Sequence, residues 1–246
     1  MTSYEQQANI ELQFWQHRMQ KKPSFTDKVS KTVQTKINDL IPDKVHVAIT
    51  TAIEKMIKAV LFGAKYTTST SPKPNTPLQL RESLVRQKIE TYRNTATVEG
   101  AVTGAGGFLM GMADFPILIG IKLKLLFEIA ALYGHDVKDY KERLYILYIF
   151  QLAFSSQQRR NEVYELMAGW QGYSGSLPDN ADELDWRIFQ QEYRDYIDLA
   201  KLAQLLPVIG AAVGAIANYK LIAQLGETAM NCYRMRKISP LQIIKE

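Results

Sequence analysis

Apolar residues recur at helical spacing along almost the whole of this 246-residue chain. Ala8, Leu12, Trp15 and Met19 mark one face of a first helix, with Ser3 placed to cap it. Val29, Val33, Ile37, Leu40 and Ile41 form a second stripe beside Lys28, Lys31 and Lys36. Pro42-Asp43 predicts a new start, because proline is tolerated at the first helical position and Asp complements the helix dipole. A third, broad face follows through Ala48, Ile49, Ala52, Ile53, Met56, Ile57, Val60 and Leu61, with Lys44, Lys55 and Lys58 off it. Thr67–Pro77 cannot hold a helix, having four threonines, two serines and three prolines. A polar helix at about 78–97 carries Leu84, Val85, Ile89 and Tyr92. Residues 139–170 predict another, whose run LYILYIFQLAF at 144–154 is too short to cross a bilayer and belongs in a core. A loop at 171–182 precedes a helix at 183–206, and an apolar segment at 202–219 leads into an amphipathic tail with Arg234, Arg236 and Lys237. No strand alternation is sustained. The expectation is an all-α, multi-helix bundle around a glycine-rich apolar helix pair. It divides into a basic amphipathic arm over 1–66, a linker over 67–77 and a helical domain over 78–246.

The stretch 98–134, VEGAVTGAGGFLMGMADFPILIGIKLKLLFEIAALYG, constrains the architecture most. Pro116 is expected to interrupt or kink it, Asp114 to cap the helix restarting there, and Gly134 to end the helix carrying Glu128. Small-xxx-small spacing at Gly100/Gly104, Gly107/Gly111 and Gly210/Gly214, with Gly106 between the first two pairs, lets helix backbones approach closely. Segments 101–121 and 202–219 each have about the length that crosses a hydrocarbon core, but a central Asp costs about 2.5–3.5 kcal/mol on insertion scales. Spanning helices, a buried hairpin in a membrane-associated protein and an entirely soluble bundle all fit this pattern.

Charge is unevenly spread. Residues 1–98 carry +7, 99–121 carry −2, 122–201 carry −3 and 202–246 carry +3. Basic ends suit the anionic inner face of a plasma membrane, with Lys28, Lys31, Lys36, Lys44, Lys55 and Lys58 as the contacting residues. They equally suit a solvated basic face. No dense Arg/Lys stripe with interleaved aromatics argues for nucleic acid. The single cysteine, Cys232, excludes an internal disulfide framework and fits a reducing compartment. No secretory signal is expected from MTSYEQQANIELQFW, and the localisation expected is cytoplasmic.

Candidate chemistry is sparse. GYSGS at 172–176 misses the last glycine of a nucleophile elbow and follows no strand. His17, His46 and His135 lie in separate segments with no H-E-x-x-H or E-x-x-H, so no metal site and no cofactor are expected. GAVTGAGG has no Lys-Ser/Thr after it and is better read as helix packing than as a phosphate loop. The sharpest candidates for general acid–base work are Glu99, Asp114, Glu128, His135 and Asp136, because burial of paired carboxylates raises their pKa values. Their structural alternatives are a cap for Asp114, an exposed Lys124–Glu128 pair, and a helix-end capping pair for His135-Asp136.

VEGAVTGAGGFLMGMADFPILIGIKLKLLFEIAALYGHD, YKERLYILYIFQLAFSS and QLLPVIGAAVGAIANYKLIAQLGETAMNCYRMR together resemble the EcsC family, and the basic N-terminal segment extends the likeness. The resemblance implies an association with an ABC exporter, since the founding member is encoded beside the two components of one linked to secretion, competence and peptide handling. It supplies no catalytic signature that maps onto this chain, although the family is sometimes labelled a hydrolase. The function expected is therefore a membrane-associated accessory protein of an ABC exporter. The alternatives are a peptide hydrolase with a buried carboxylate/His site and a binder of lipid or small hydrophobes.

Overall fold

A computed structural model describes residues 2–21, 43–63, 71–105, 107–197 and 211–238. Among them are nine helices and no strand: α1 (Ser3–Gln20), α2 (Asp43–Lys58), α3 (Leu78–Ala105), α4 (Gly107–Tyr133), α5 (Tyr140–Phe154), α6 (Gln157–Ala168), α7 (Trp170–Ser176), α8 (Trp186–Tyr196) and α9 (Ala211–Lys237). The all-α reading holds.

Local chemistry explains most of the boundaries. Thr2, one residue before the expected cap, accepts from Glu5 N while Glu5 accepts from Thr2 N, which makes a capping box. The chain breaks at Ser155-Ser156, where Ser156 caps α6, so 139–170 is not one helix. Part of the expected loop at 171–182 is helical as α7. At the end of α4, Gly134 sits at φ +94°, its amide bonds Ala131 O, and the His135 amide bonds Ala130 O. Those two bonds are the glycine-terminated Schellman pattern. A side chain at 134 would also strike Arg81 Nη1 at 2.9 Å.

Two expectations for the glycine-rich stretch fail. The polar helix does not stop near residue 97 but runs on to Ala105. Pro116 lies inside α4, which is continuous from Gly107, so Asp114 is not the cap of a restarting helix. Proline removes one backbone bond, and burial of Phe115, Leu118 and Ile119 around it offsets that loss.

α3 runs antiparallel to both α4 and α9, which lie parallel to each other. Tyr92 meets Glu128 and Glu82 meets Tyr133 along the first pair, Glu82 meets Arg234 and Arg93 meets Tyr219 along the second, and Lys122 meets Asn218 between α4 and α9. α5 is the most enclosed helix, with every residue from Leu144 to Phe154 buried, as its apolar run predicts. α1 and α2 add their stripes to the same core through Leu12, Trp15, Ile49, Ile53 and Ile57. Residues 71–77, ahead of α3, are pinned by Arg81, whose buried guanidinium donates to the carbonyls of Lys73, Pro74, Thr76 and Leu132.

The tightest described helix contact is at a glycine that the sequence reading passed over. A Cβ on Gly226 would lie 2.5–3.0 Å from three side-chain carbons of Ile89. Glycine in a helix interior costs about 1 kcal/mol relative to alanine, and here that loss permits the α3–α9 approach. Gly226→Ala should lower unfolding stability by about 1–3 kcal/mol through overpacking. Denaturant titration should show Ile89→Ala in the same chain restoring part of the loss, since the two sites share one contact.

Candidate functional site

The polar groups of this protein gather at one end of the α3–α4–α9 layer. Glu82, on α3, is 0% exposed. Arg234, on α9, reaches it with a bidentate pair, Nε to Oε1 at 2.8 Å and Nη2 to Oε2 at 2.6 Å. Tyr133 of α4 donates to Oε1 at 3.0 Å, Tyr4 of α1 donates to Oε2 at 2.6 Å, and Arg86 contributes a looser contact at 3.4 Å. Arg234 Nη1 also reaches Glu11 of α1 at 2.9 Å. Burial alone would raise the pKa of Glu82, but the bonds from Arg234, Tyr4 and Tyr133 outweigh it and hold the carboxyl below its ordinary value. Removing two charges from water is costly, and only such saturation of both partners makes the burial tolerable.

A second cluster lies beside it. Glu142 of α5 takes Tyr233 Oη at 2.8 Å and Arg236 Nη1 at 2.7 Å. Burial pushes its pKa up, against the opposing pull of Arg236. The Arg236 guanidinium sits 4.5 Å above the Tyr145 ring. His135 stacks on Tyr233 at 5.0 Å, with Nδ1 3.5 Å from Glu142 Oε2. Burial, reinforced by Arg236, Lys237 and Arg81, lowers the His135 pKa to about 4, so the imidazole is neutral at pH 7. The end of α9 is amphipathic as expected, with Arg236 and Lys237 exposed and Tyr233 and Ile238 buried, but Arg234 is buried as the cationic half of the first cluster.

Beside the first cluster, α1, α3 and α9 enclose a groove of about 450 Å³. Ile89, Ala223 and Met230 give it an apolar floor, and Arg234 lies at its end. Arg18 and Arg86 stand at its rim, Arg18 bonded to Glu227 at 2.7 Å. Phe14 is 69% exposed at one wall.

With this arrangement in view, comparison with known proteins is informative. The model of the EcsC protein family matches residues 6–238. This chain belongs to the EcsC family. It is 45% identical over 222 residues to Protein EcsC of Bacillus subtilis (strain 168), covering 90% of this chain and 91% of that protein. It is 28% identical over 256 aligned positions to Uncharacterized protein YdbA of the same strain, covering 96% and 93%. No solved structure matches.

The family resemblance drew attention to residues that the fold places in several locations. Glu128, expected to pair with Lys124, instead faces α3, where Lys88 Nζ lies 3.0 Å away and Tyr92 donates at 3.0 Å, while Lys124 is exposed. Tyr92 is correspondingly hard to ionise, through burial and the neighbouring Glu128. Asp136 is a turn residue that accepts from Lys138 N at 2.9 Å. Only His135 joins a cluster, about two turns of helix from Glu128. Glu99 and Asp114 fall within α3 and α4, but their side chains lie outside the described residues. The same holds for the side chain of Lys44 and the surroundings of Gly100, Gly104, Gly107, Gly111 and Gly214, while Lys28, Lys31, Lys36, Gly106 and Gly210 lie outside altogether. Lys55 and Lys58 are exposed on α2. Ser174 bonds back to Gln171 O within α7, and Cys232 is buried with its thiol pKa pushed up by burial. Among the described residues, no three of His, Cys, Asp and Glu converge as metal ligands would.

Two outcomes follow. Glu82→Gln should cost about 3–5 kcal/mol of stability, because it leaves Arg234 buried against a neutral partner, whereas Tyr4→Phe should cost only about 1 kcal/mol; chemical denaturation measures both. His135 binds its proton in the unfolded chain near pH 6.5 but in the folded chain only near pH 4. Its contribution is thus complete above pH 6.5 and is lost as pH falls towards 4. The stability difference between wild type and His135→Asn should grow from pH 4 to 6.5 and stay flat above.

Proposed function

We propose that this EcsC-family chain works by binding, as an accessory protein of an ABC exporter at the inner face of the plasma membrane. The observation that carries this reading is the groove between α1, α3 and α9. A large aromatic side chain left 69% exposed beside an apolar floor, with arginines at the rim, has the composition of a protein-binding hot spot. The family resemblance supplies the kind of partner, and the exposed Lys55 and Lys58 on α2 supply cationic surface suited to an anionic membrane. The two polar clusters support the same reading, because Glu82 is paired with Arg234 and Glu142 with Arg236 across α3, α5 and α9.

Co-purification from cells expressing the chain beside its exporter tests the proposal. Exporter subunits should be recovered with wild type and reduced about tenfold or more by Phe14→Ala with Arg18→Ala, as expected for a truncated hot spot. Circular dichroism should be unchanged, since both residues are exposed. Undiminished recovery with the double variant would move the interface elsewhere. Recovery of no exporter subunit, together with loss of a peptide-hydrolysing activity in His135→Asn, would replace this reading with the hydrolase one.

A further inference from the structure

The end of the bundle opposite the Glu82–Arg234 cluster is built differently. Lys122, buried on α4, donates to Asn218 Oδ1 of α9 at 3.0 Å, and α4 and α9 run parallel. That bond sets their register: Lys124 stands level with Lys220 and Gly120 with Ile216. Both lysines are exposed. Arg93 of α3 reaches the same level, its guanidinium 3.9 Å from the Tyr219 ring centre and bonded to Glu90. Cations from three helices therefore mark one plane across the bundle.

Beyond that plane the composition changes. From Ala211 to Tyr219, α9 carries no charged residue. From Gly107 to Ile121, α4 carries only Asp114, which stands at i, i+4, i+8 with the buried Leu118 and Lys122. The side chains described on this part of α4 and α9 include exposed apolar ones. Pro116 is exposed, Ile117 is 60% exposed, Ile216 is 57% exposed, and a Cβ on Gly120 would meet nothing within 4 Å. No helix among the described residues is long and apolar enough to cross a membrane.

We infer that this end is a tip that dips into one leaflet of a bilayer rich in anionic phospholipid, with Lys124 and Lys220 at the level of the phosphates. Pro116, Ile117 and Ile216 offer exposed apolar side chains beyond the plane, and the lysines at the plane complement anionic headgroups. This deepens the membrane part of the proposed function and rests on it. It assigns the lipid contact to α4 and α9, whereas the lysine pattern of the sequence places it on the N-terminal helices.

Flotation of the purified full chain tests the inference, using vesicles of phosphatidylcholine with or without phosphatidylglycerol. Wild type should float with the phosphatidylglycerol vesicles and less so at high salt. Ile117→Asp with Ile216→Asp should weaken flotation about tenfold or more. Lys124→Glu with Lys220→Glu should abolish the preference for phosphatidylglycerol and should weaken flotation more than Lys55→Glu with Lys58→Glu. A second readout does not depend on the aspartate variants folding. Ile117→Cys or Ile216→Cys, labelled with an environment-sensitive dye while Cys232 stays buried, should shift to the blue on vesicles and be quenched by brominated acyl chains. Flotation lost only in the α2 variant, or a dye that stays wet, overturns the tip and leaves the membrane reading intact. A wild type that floats with neither vesicle overturns the tip as well. In that case retention of the chain on cell membranes would preserve the accessory reading through a protein contact, and its absence would remove both.

Discussion

The fold turns on one buried ion pair. Glu82 and Arg234 lie 152 residues apart in sequence, and their bidentate contact joins the start of α3 to the end of α9. Tyr133 brings α4 to the same carboxylate, and Tyr4 and Glu11 bring α1. A charge pair of this kind adds little net stability compared with apolar residues of the same shape. Its effect is to specify: a helix that slid by one turn would leave a charge in the core without a partner. The register of four helices is thus set by polar geometry, while the apolar core around α5 supplies the bulk of the driving force.

The same economy governs the neighbouring cluster. Glu142, Arg236, Tyr233 and His135 interlock by hydrogen bonds and ring stacking, and the aromatic faces of Tyr145 and Tyr233 shield the guanidinium. Within it, burial neutralises the imidazole and opposes ionisation of the carboxyl. Perturbed titration here follows from packing. It accompanies structural networks as readily as catalytic ones.

How much of this was legible in the sequence depended on the range of the interaction. The stripe from Ile49 to Leu61, the run at 144–154 and the stop at Gly134 all follow from neighbours within a few turns, and the sequence announces them. Pro116 misled because proline's local penalty is a few kilocalories, and the packed residues around it outweigh that. Arg234 and Arg236 resembled a basic tail because nothing nearby in sequence reveals that Glu82 and Glu142 await them. A glutamate on an otherwise polar helix, such as Glu82, carries no one-dimensional mark of burial. Gly226 did carry a signal, a lone glycine inside a helical pattern, which is itself a reason to look for a close neighbour. The family was legible from contiguous words, but the groove beside Phe14 was not, since its walls come from three distant helices.

The pairing of α3 with α9 also bears on how the molecule is made. During synthesis α3 emerges long before its main partner, and Glu82, Ile89 and Tyr133 wait without Arg234 and Gly226 until α9 has left the ribosome. Contacts this distant in sequence close slowly, and an unfinished bundle exposes its apolar faces meanwhile. The α3–α4 contacts join residues much nearer in sequence than the α3–α9 contacts that complete the core. The last two dozen residues of the helical body therefore act as the closing piece of the whole fold, and a nascent chain stopped short of them would carry a charged, uncovered seam.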